Sequence, residues 1–285
     1  MLLLVAAPAR GAVPQIQSHR GGAERDGKPA FAEESMPAFR SAWEDEHTVL
    51  ELDVKLSADR VPVVIHDATL DRTTVCSGRV DARTWDDLRR HCPSDVLGID
   101  PLPRATADPP VPMASLREVL SYAKASGAPL NIEIKNIPGE PDFDPTSRYA
   151  ETVLDTIKRS RVPLSQLIIQ SFWPPNLDVA QRVLPGVATA FLTSGGTSLG
   201  FAQFSALRRY TWWSPAWPVS KSDVDQAHLF GLKVVPWTID TPQGIRDAAA
   251  AGVEAVITND PVMAKRALGL AVGRPAARIA FRTRR

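Results

Sequence analysis

The sequence predicts a (β/α)8 barrel that carries an extra β-hairpin arm and a proline-rich loop. Short β-type runs alternate with helix-length segments along most of the chain, which is typical of a parallel sheet covered by helices. One pair of runs, Thr48–Leu56 and Val61–His66, is separated by only four residues, too few for a parallel crossover, so it must form an antiparallel hairpin. Without its return strand eight strands remain, the number that forms such a barrel. A doubly wound open sheet is the alternative fold.

The strand candidates follow the chain in the order Gln15–His19, Thr48–Leu56, Val61–His66, Leu130–Lys135, Leu167–Phe172, Val187–Leu192, Tyr210–Ser214, Lys233–Thr238 and Ala255–Thr258. The helical segments are Ser35–Asp45, Ser115–Ser126, Thr146–Ser160, Asn176–Val183, Ser222–Phe230 and Thr241–Ala250. Ser115 and Glu118 have the spacing of a capping box, and Gly127, Gly231 and Gly252 stand where helices end. The segment Cys92–Pro112 contains six prolines, so we expect a long loop there.

The composition is that of a globular protein. Of the 285 residues, 44% are hydrophobic and 23% are charged, which excludes disordered and fibrous classes. A net charge of +1 argues against a nucleic-acid surface. No run reaches the roughly 18 apolar residues that span a bilayer, so stable membrane insertion is not expected. We expect one barrel domain over residues 15–268 and a basic tail over residues 269–285, and the oligomeric state stays open.

The first residues and the two cysteines bear on the compartment. Met1–Ala9 resembles the apolar core of a secretion signal without its basic start, so residues 1–14 are interpreted as a leader remnant or a disordered end. In an exported protein, Cys76 and Cys92 are expected to form a disulfide, whereas a cytosolic protein would keep two thiols. The prediction is a secreted or cell-envelope protein with this disulfide, and a cytoplasmic protein is the alternative.

Carboxylates interrupt two apolar strands near their ends. Glu51 and Asp53 are two residues apart on one strand and therefore share a face, and Glu133 shares a face with Lys135 on another. The active sites of barrels lie at the carboxyl ends of the strands. Three inward carboxylates without thiol ligands favour a hard cation, Mg²⁺ or Ca²⁺. The alternative is a buried ion-pair network in which Lys135 and Arg20 alone neutralise the carboxylates.

Two histidines stand near the same point. With a turn at Ala58-Asp59, the hairpin register pairs Val54 with Val63 and Glu51 with His66, which places His66 beside the carboxylates. His19 ends the neighbouring first strand. A cation, two bases and two imidazoles suit phosphodiester cleavage, in which one imidazole takes a proton from the attacking group and the other protonates the leaving alkoxide.

Ordered motifs resemble those of the glycerophosphodiester phosphodiesterase family. They are His19-Arg20-Gly21, Glu51-Leu52-Asp53-Val54, Pro62-Val63-Val64-Ile65-His66-Asp67, Leu70-Asp71-Arg72-Thr73-Thr74, Asn131-Ile132-Glu133-Ile134-Lys135, Val235-Pro236-Trp237-Thr238 and the run from Gly252 to Pro261. The resemblance spans about residues 15 to 265.

The resemblance implies a barrel enzyme that uses one divalent cation to cleave small glycerophosphodiesters into sn-glycerol 3-phosphate and an alcohol. By matching motifs, His19 and His66 are the acid–base pair, and Glu51, Asp53 and Glu133 bind the metal. Arg20 and Lys135 match phosphate-binding positions, and Trp237 matches an aromatic residue at the glycerol end. One position departs from the family: Glu34 stands where an Asn is usual and adds a negative charge.

Two other functions remain open. A sphingomyelinase D-like lyase on the same barrel would form a cyclic phosphate from a membrane lipid and should expose an aromatic loop, for which Phe172–Pro175 and Trp212–Trp217 are candidates. A non-catalytic glycerophosphodiester-binding protein would need no imidazole pair, yet His19 and His66 are both present.

Overall fold

A computed structural model describes residues 13–99, 105–195 and 199–273. The predicted leader and the predicted basic tail lie outside the described residues, apart from residues 13–14 and 269–273. Among the described residues, no helix is both long and apolar enough to cross a bilayer.

Within the described residues the chain forms fourteen strands. They are β1 (Gln15–Ser18), β2 (Glu24–Arg25), β3 (Lys28–Pro29), β4 (Val49–Leu56), β5 (Pro62–Val64), β6 (Ser94–Leu97), β7 (Ala105–Val111), β8 (Ala114–Ser115), β9 (Leu130–Ile134), β10 (Leu167–Ser171), β11 (Ala188–Thr193), β12 (Trp212–Pro215), β13 (Lys233–Val234) and β14 (Ala255–Thr258).

The described helices are α1 (Met36–Glu44), α2 (Trp85–His91), α3 (Leu116–Ser126), α4 (Arg148–Ser160), α5 (Pro174–Val183), α6 (Leu199–Leu207), α7 (Lys221–Leu229), α8 (Pro242–Ala251) and α9 (Pro261–Ala267). The capping box of Ser115 and Glu118 starts α3, as the sequence predicts. Gly127 and Gly252 end α3 and α8 in the left-handed conformation.

Eight parallel strands confirm the predicted α/β barrel architecture. They pair in the order β13, β12, β11, β10, β9, β4, β1 and β14, and helices follow most of them. No regular ladder joins β14 to β13, but the Glu254 N–H donates to Val234 O (3.1 Å) and the Ile257 N–H donates to Pro236 O (3.0 Å). Backbone bonds therefore bridge the two end strands of the sheet.

The hairpin is present, but its predicted register is wrong by one residue. Val54 pairs with Val64, not with Val63. The cause lies in the turn, where Arg60 takes a left-handed conformation (φ 57°) and the Ser57 N–H bonds to Val61 O at 3.1 Å. A one-residue shift would turn His66 to the other face. However, β5 ends at Val64, so His66 stands beyond the ladder and its orientation is set by the loop.

The proline-rich segment is not a structureless loop. Strands β6 and β7 form an antiparallel ribbon within it, in which Ser94 pairs with Val111 and Val96 pairs with Thr106. Residues 107–110 bulge out between these pairs, and they include Pro109 and Pro110, which have no N–H to donate to a ladder. Pro101 and Pro103 lie outside the described residues.

We call residues 57–113 the arm. It has its own apolar cluster, formed by Val63, Ile65, Leu70, Val80, Leu88, Cys92 and Met113. The expected disulfide joins Cys76 to Cys92 across a Cα–Cα distance of 5.2 Å. The barrel core is separate and packs the main strands against the surrounding helices.

Candidate active site

Three carboxylates meet at the carboxyl ends of β4 and β9. Asp53 and Glu133 are direct partners in the parallel ladder, and Glu51 lies two residues before Asp53. Each of the three offers an oxygen within 4.8 Å of the others, and all are buried. Both Asp53 carboxylate oxygens and Glu133 Oε1 accept no hydrogen bond although they are buried. These oxygens are suitable ligands for a hard cation.

The electrostatics of the cluster reflect crowding of like charge. Burial and the neighbouring Asp53 raise the pKa of Glu51 well above its usual value. Burial also raises the pKa of Glu133, to about 8, against the opposing effect of Lys135. Burial alone would raise the pKa of Asp53. The positive charges around it, of which Lys135 has the largest effect, instead hold its pKa well below the usual range. The cluster would be stabilised by an additional positive charge.

Two basic side chains border the carboxylates, as the sequence predicts. The Arg20 backbone N–H donates to Glu51 Oε2 (2.8 Å), and its Nε lies 3.3 Å from Asp53 Oδ2. Lys135 Nζ lies 3.3 Å from Glu133 Oε1 and 4.0 Å from Asp53 Oδ1. Both bases therefore lie beside the cluster, and both line the cavity in front of it.

Glu34, the position that departs from the family pattern, contacts the cluster. The Asp53 N–H donates to Glu34 Oε1 (2.8 Å), while Glu34 Oε2 has no hydrogen-bond partner. Burial, followed by repulsion from Asp53 and Glu51, raises the pKa of Glu34 well above its usual value. A fourth carboxyl group thus lies beside the cluster, and Glu51 and Glu133 are the members of the cluster that line the cavity.

His19 lies on a 3-10 turn, His19–Gly21, that follows β1. The turn packs closely, because a Cβ on Gly21 would lie 2.9 Å from the Ala38 side chain. His19 Nδ1 is 2.6 Å from Asn259 Oδ1, and the Asn259 amide donates in turn to Asp240 Oδ2 (2.8 Å). Because Oδ1 can only accept, Nδ1 carries the hydrogen. Burial and the neighbouring Arg20 lower the pKa of His19 to about 3.

His66 has a charged partner instead. Its Nδ1 lies 2.6 Å from Asp67 Oδ1, so the imidazole donates to a carboxylate. Burial lowers the pKa of His66, while the charges of Asp53 and Asp67 act against that effect. His66 lines the same cavity as His19, so the structure brings both predicted imidazoles to the carboxylates.

Arg72 links the arm to the barrel, a role that the sequence reasoning missed. Its Nε donates to Asp67 Oδ2 (2.6 Å), and its two terminal nitrogens donate to Glu33 at 2.7 Å each. Glu33 in turn accepts from Arg20 Nη1 (3.1 Å). The Leu70–Thr74 motif contains Arg72, but nothing in its local pattern shows which partners it reaches.

Gln170 was also missed. Its Nε2 donates to Glu51 Oε1 (2.7 Å) from the neighbouring strand β10. Gln170 is a polar residue near the end of the apolar strand β10. The same pattern identified Glu51 and Glu133 in the sequence, so applying it to β10 would have identified Gln170 as well.

The site opens into a cavity of about 500 Å³ at the carboxyl ends of the barrel strands. Trp237 lines this cavity, with its ring edge-to-face against Phe172 (5.4 Å between centroids) and its Nε1 donating to Ser214 O (2.9 Å). An acidic cluster, two cationic side chains and two imidazoles in one barrel cavity define a class of enzyme that cleaves phosphate esters.

Comparison with known proteins identifies the family. The model of the glycerophosphoryl diester phosphodiesterase family matches residues 19–263. The chain belongs to this family of phosphodiester hydrolases. It is 27% identical over 250 residues to a glycerophosphodiester phosphodiesterase from Caldanaerobacter subterraneus, covering 86% of this chain and 94% of the relative. It is also 30% identical over 254 residues to the protein YqiK of Bacillus subtilis, covering 87% of this chain and 95% of that protein.

Solved structures share the fold. A phosphodiesterase from Oleispira antarctica, determined in complex with the product sn-glycerol-3-phosphate, superposes with a TM-score of 0.71 at 20% identity, covering 90% of this chain and 97% of that one. A glycerophosphodiester phosphodiesterase from Parabacteroides distasonis superposes with a TM-score of 0.70 at 21% identity, with the same coverage.

Proposed function

We propose that the protein hydrolyses glycerophosphodiesters to sn-glycerol 3-phosphate and an alcohol with the help of one divalent cation, Ca²⁺ or Mg²⁺. The observation that carries the proposal is that the cluster of Glu51, Asp53 and Glu133 borders a cavity that is also lined by two imidazoles and two bases. The fold neighbour with bound sn-glycerol-3-phosphate supports a product of this type.

In this mechanism Glu51, Asp53 and Glu133 would hold the cation, which would supply positive charge to the phosphoryl oxygens. Arg20 and Lys135 bind the phosphate, because their charged groups border the cluster and line the cavity. Trp237 and Phe172 provide an apolar wall against which the glycerol carbons pack.

The partners of the two histidines suggest different roles. The Asn259 amide keeps the hydrogen of His19 on Nδ1, so Nε2 of the neutral ring is free to take a proton from the attacking group. Burial lowers the pKa of His66, but Asp67 opposes that effect and would stabilise the imidazolium, which suits donation of a proton to the leaving alkoxide. His19 is therefore assigned as the base and His66 as the acid.

The test is a panel of glycerophosphocholine, glycerophosphoethanolamine and glycerophosphoglycerol with Ca²⁺, Mg²⁺ or EDTA. Enzymatic measurement of glycerol 3-phosphate is the readout, and His19→Ala protein is the matched control. Metal-dependent release of glycerol 3-phosphate by the wild-type protein alone is expected. No release from any diester with either cation would contradict the proposal.

The lyase alternative receives less support from the structure. Of the candidate aromatic residues, Trp212 and Trp213 are buried (7% and 1% exposed), and Phe172, Trp173 and Trp217 are half-buried, so neither candidate segment presents fully exposed rings. Phosphorus NMR of the products separates the two reactions, because a lyase would accumulate a cyclic phosphate. The imidazole pair in the cavity argues in the same way against a non-catalytic binding protein.

The disulfide in the arm supports the proposal that the protein is secreted or lies in the cell envelope, since such bonds persist in oxidising compartments. Fractionation of producing cells, followed by alkylation of any free thiols, tests this location.

A further inference from the structure

The exposed apolar side chains of the described residues collect on one side of the barrel. Of six large hydrophobic side chains that are exposed, five stand where helices end or where the first strand begins. These five are Val13, Leu207, Leu229, Phe230 and Leu270. The sixth, Val75, lies in the arm. We call this side of the barrel, where the parallel strands begin and the helices end, the amino face.

Two of the exposed leucines end neighbouring helices. Leu207 is the last residue of α6 and is 83% exposed, and Leu229 is the last residue of α7 and is 84% exposed. The loops that follow them enter β12 and β13, which are paired through Trp212 and Lys233. Phe230 follows Leu229 directly. Because covering such side chains with an apolar phase is favourable, their collection on one face indicates a binding surface.

The amino face also carries exposed positive charge. Arg161 and Arg209 follow the ends of α4 and α6, and Lys233 begins β13. Within the part of the chain that the structure describes, no carboxylate pairs with these three side chains. Lys233 Nζ lies instead over the Trp212 ring, 5.1 Å from its centroid. These cations are therefore available to an anionic partner.

Acidic side chains of the amino face do not offset this charge, because they already have partners. Glu46 pairs with Lys265 (2.9 Å), and Glu254 pairs with His228 (3.0 Å). Beyond the described residues, the sequence of residues 274–285 adds five arginines and no acidic residue. The helix dipole favours cations at helix ends, but it gives no reason for the exposed leucines beside them.

We propose that the amino face binds the surface of a membrane that contains anionic lipids. Leu207, Leu229 and Phe230 enter the boundary between head groups and acyl chains. Arg209 and Lys233 contact the anionic head groups. The protein lies on the membrane without crossing it. Because the catalytic cavity is at the carboxyl ends of the strands, it opens away from the membrane into the solvent.

Charge and shape favour a lipid surface over a second copy of the chain. In a symmetric dimer each patch meets the same patch of its partner. Arg209 and Lys233 would then face the same unpaired cations, which is unfavourable. Protein interfaces also have a core that is depleted of charge, whereas the apolar residues here stand at separate helix ends with cations beside them.

The test is co-sedimentation of the full chain with vesicles of phosphatidylcholine alone and of phosphatidylcholine mixed with phosphatidylglycerol. We expect binding to the mixed vesicles at low ionic strength and weaker binding at high ionic strength, because salt screens exposed charges. Little binding to the neutral vesicles is expected. The assay requires no turnover, so its outcome is independent of the proposed enzymatic function.

Single charge removals locate the binding surface. Arg209→Gln and Lys233→Gln should each weaken binding to the mixed vesicles by about fivefold. Lys221→Gln is the matched control, because Lys221 is exposed at the opposite end of α7, near the carboxyl ends of the strands. This control removes the same charge and should change the affinity little.

The apolar contribution is examined separately. Leu229→Gln should weaken binding by about tenfold, since a leucine side chain is withdrawn from an apolar phase. Val75→Gln is the matched control, because Val75 is 52% exposed but lies in the arm. Circular dichroism confirms that each variant is folded.

Four results would overturn the inference. Absence of binding to the mixed vesicles at low ionic strength refutes it directly. Equal binding by the wild-type, Lys233→Gln and Leu229→Gln proteins would place membrane binding elsewhere in the chain. An equal loss in Lys221→Gln would attribute binding to net charge alone. A dimer in analytical ultracentrifugation that Leu229→Gln abolishes would assign the amino face to a second copy of the chain.

Discussion

The disulfide between Cys76 and Cys92 should account for a measurable share of the stability of the arm. The two residues are separated by 16 positions, and closing a loop of about this length contributes roughly 3 kcal/mol in the chain-entropy model. At about 2.1 cal/mol/K per residue, the unfolding entropy of a chain of 285 residues is about 0.6 kcal/mol/K, so each kcal/mol shifts the Tm by somewhat less than about 2 °C. We therefore expect the variant Cys76→Ala/Cys92→Ala to unfold about 5 °C below the oxidised protein.

The assay is thermal unfolding followed by circular dichroism on the oxidised protein, the reduced protein and the double variant. The reduced wild-type protein is the control, since it keeps the side chains of both Cys76 and the buried Cys92 while losing the bond. Both altered forms should lose similar stability. A double variant that unfolds within 2 °C of the oxidised protein would show that the apolar cluster alone holds the arm.

Four further outcomes are expected. His19→Ala and His66→Ala should each lower kcat on glycerophosphocholine by about 10²-fold or more. With p-nitrophenol as the leaving alcohol, His66→Ala but not His19→Ala should recover most of the wild-type rate, because a p-nitrophenolate leaves without being protonated. Equal recovery in His19→Ala and His66→Ala would refute the assignment of acid and base. Excess EDTA should abolish turnover and Glu51→Gln should weaken Ca²⁺ binding in calorimetry, whereas full turnover in EDTA would exclude a catalytic cation. Arg72→Lys should lower kcat about tenfold with little change in KM, because the lysine ammonium cannot bind the carboxylates of Asp67 and Glu33 together as the planar guanidinium does. An unchanged kcat would show that Arg72 does not position groups of the active site. Burial and two neighbouring carboxylates raise the pKa of Glu24 to about 7. Between the pKa of this group in the unfolded chain and pH 7, the folded state therefore binds more protons than the unfolded state. The free energy of unfolding consequently falls as the pH rises through that range. Glu24→Gln should accordingly stabilise the protein at pH 8 by about 1 kcal/mol but very little at pH 4.5, and an equal effect at both pH values in urea unfolding would contradict that shift.

The sequence predicted those features that depend on local pattern. The alternation of strands and helices identified the eight-stranded architecture, and polar residues at strand ends identified both bases and the carboxylate cluster. These signals are readable because strand periodicity and the location of barrel active sites are general rules.

Features that depend on single backbone conformations or on contacts between distant residues could not be predicted from the sequence. The hairpin register depends on the left-handed Arg60, and arginine gives no sign of that conformation, as a glycine would. The ribbon of β6 and β7 was hidden by prolines that sit in its bulge. Asn259 is 240 positions from His19, so its hydrogen bond with the imidazole follows only from the folded barrel.

The placement of His66 divides the active site between two separately cohesive parts of the molecule. The carboxylates, Arg20 and Lys135 belong to the barrel, whereas His66 is carried by the arm, which has its own apolar cluster and disulfide. Damage that undocks the arm would leave the groups that bind cation and phosphate in place while removing one proton-transfer group. The result would be a receptor for the diester in place of a hydrolase, so in this architecture binding and turnover can be lost independently.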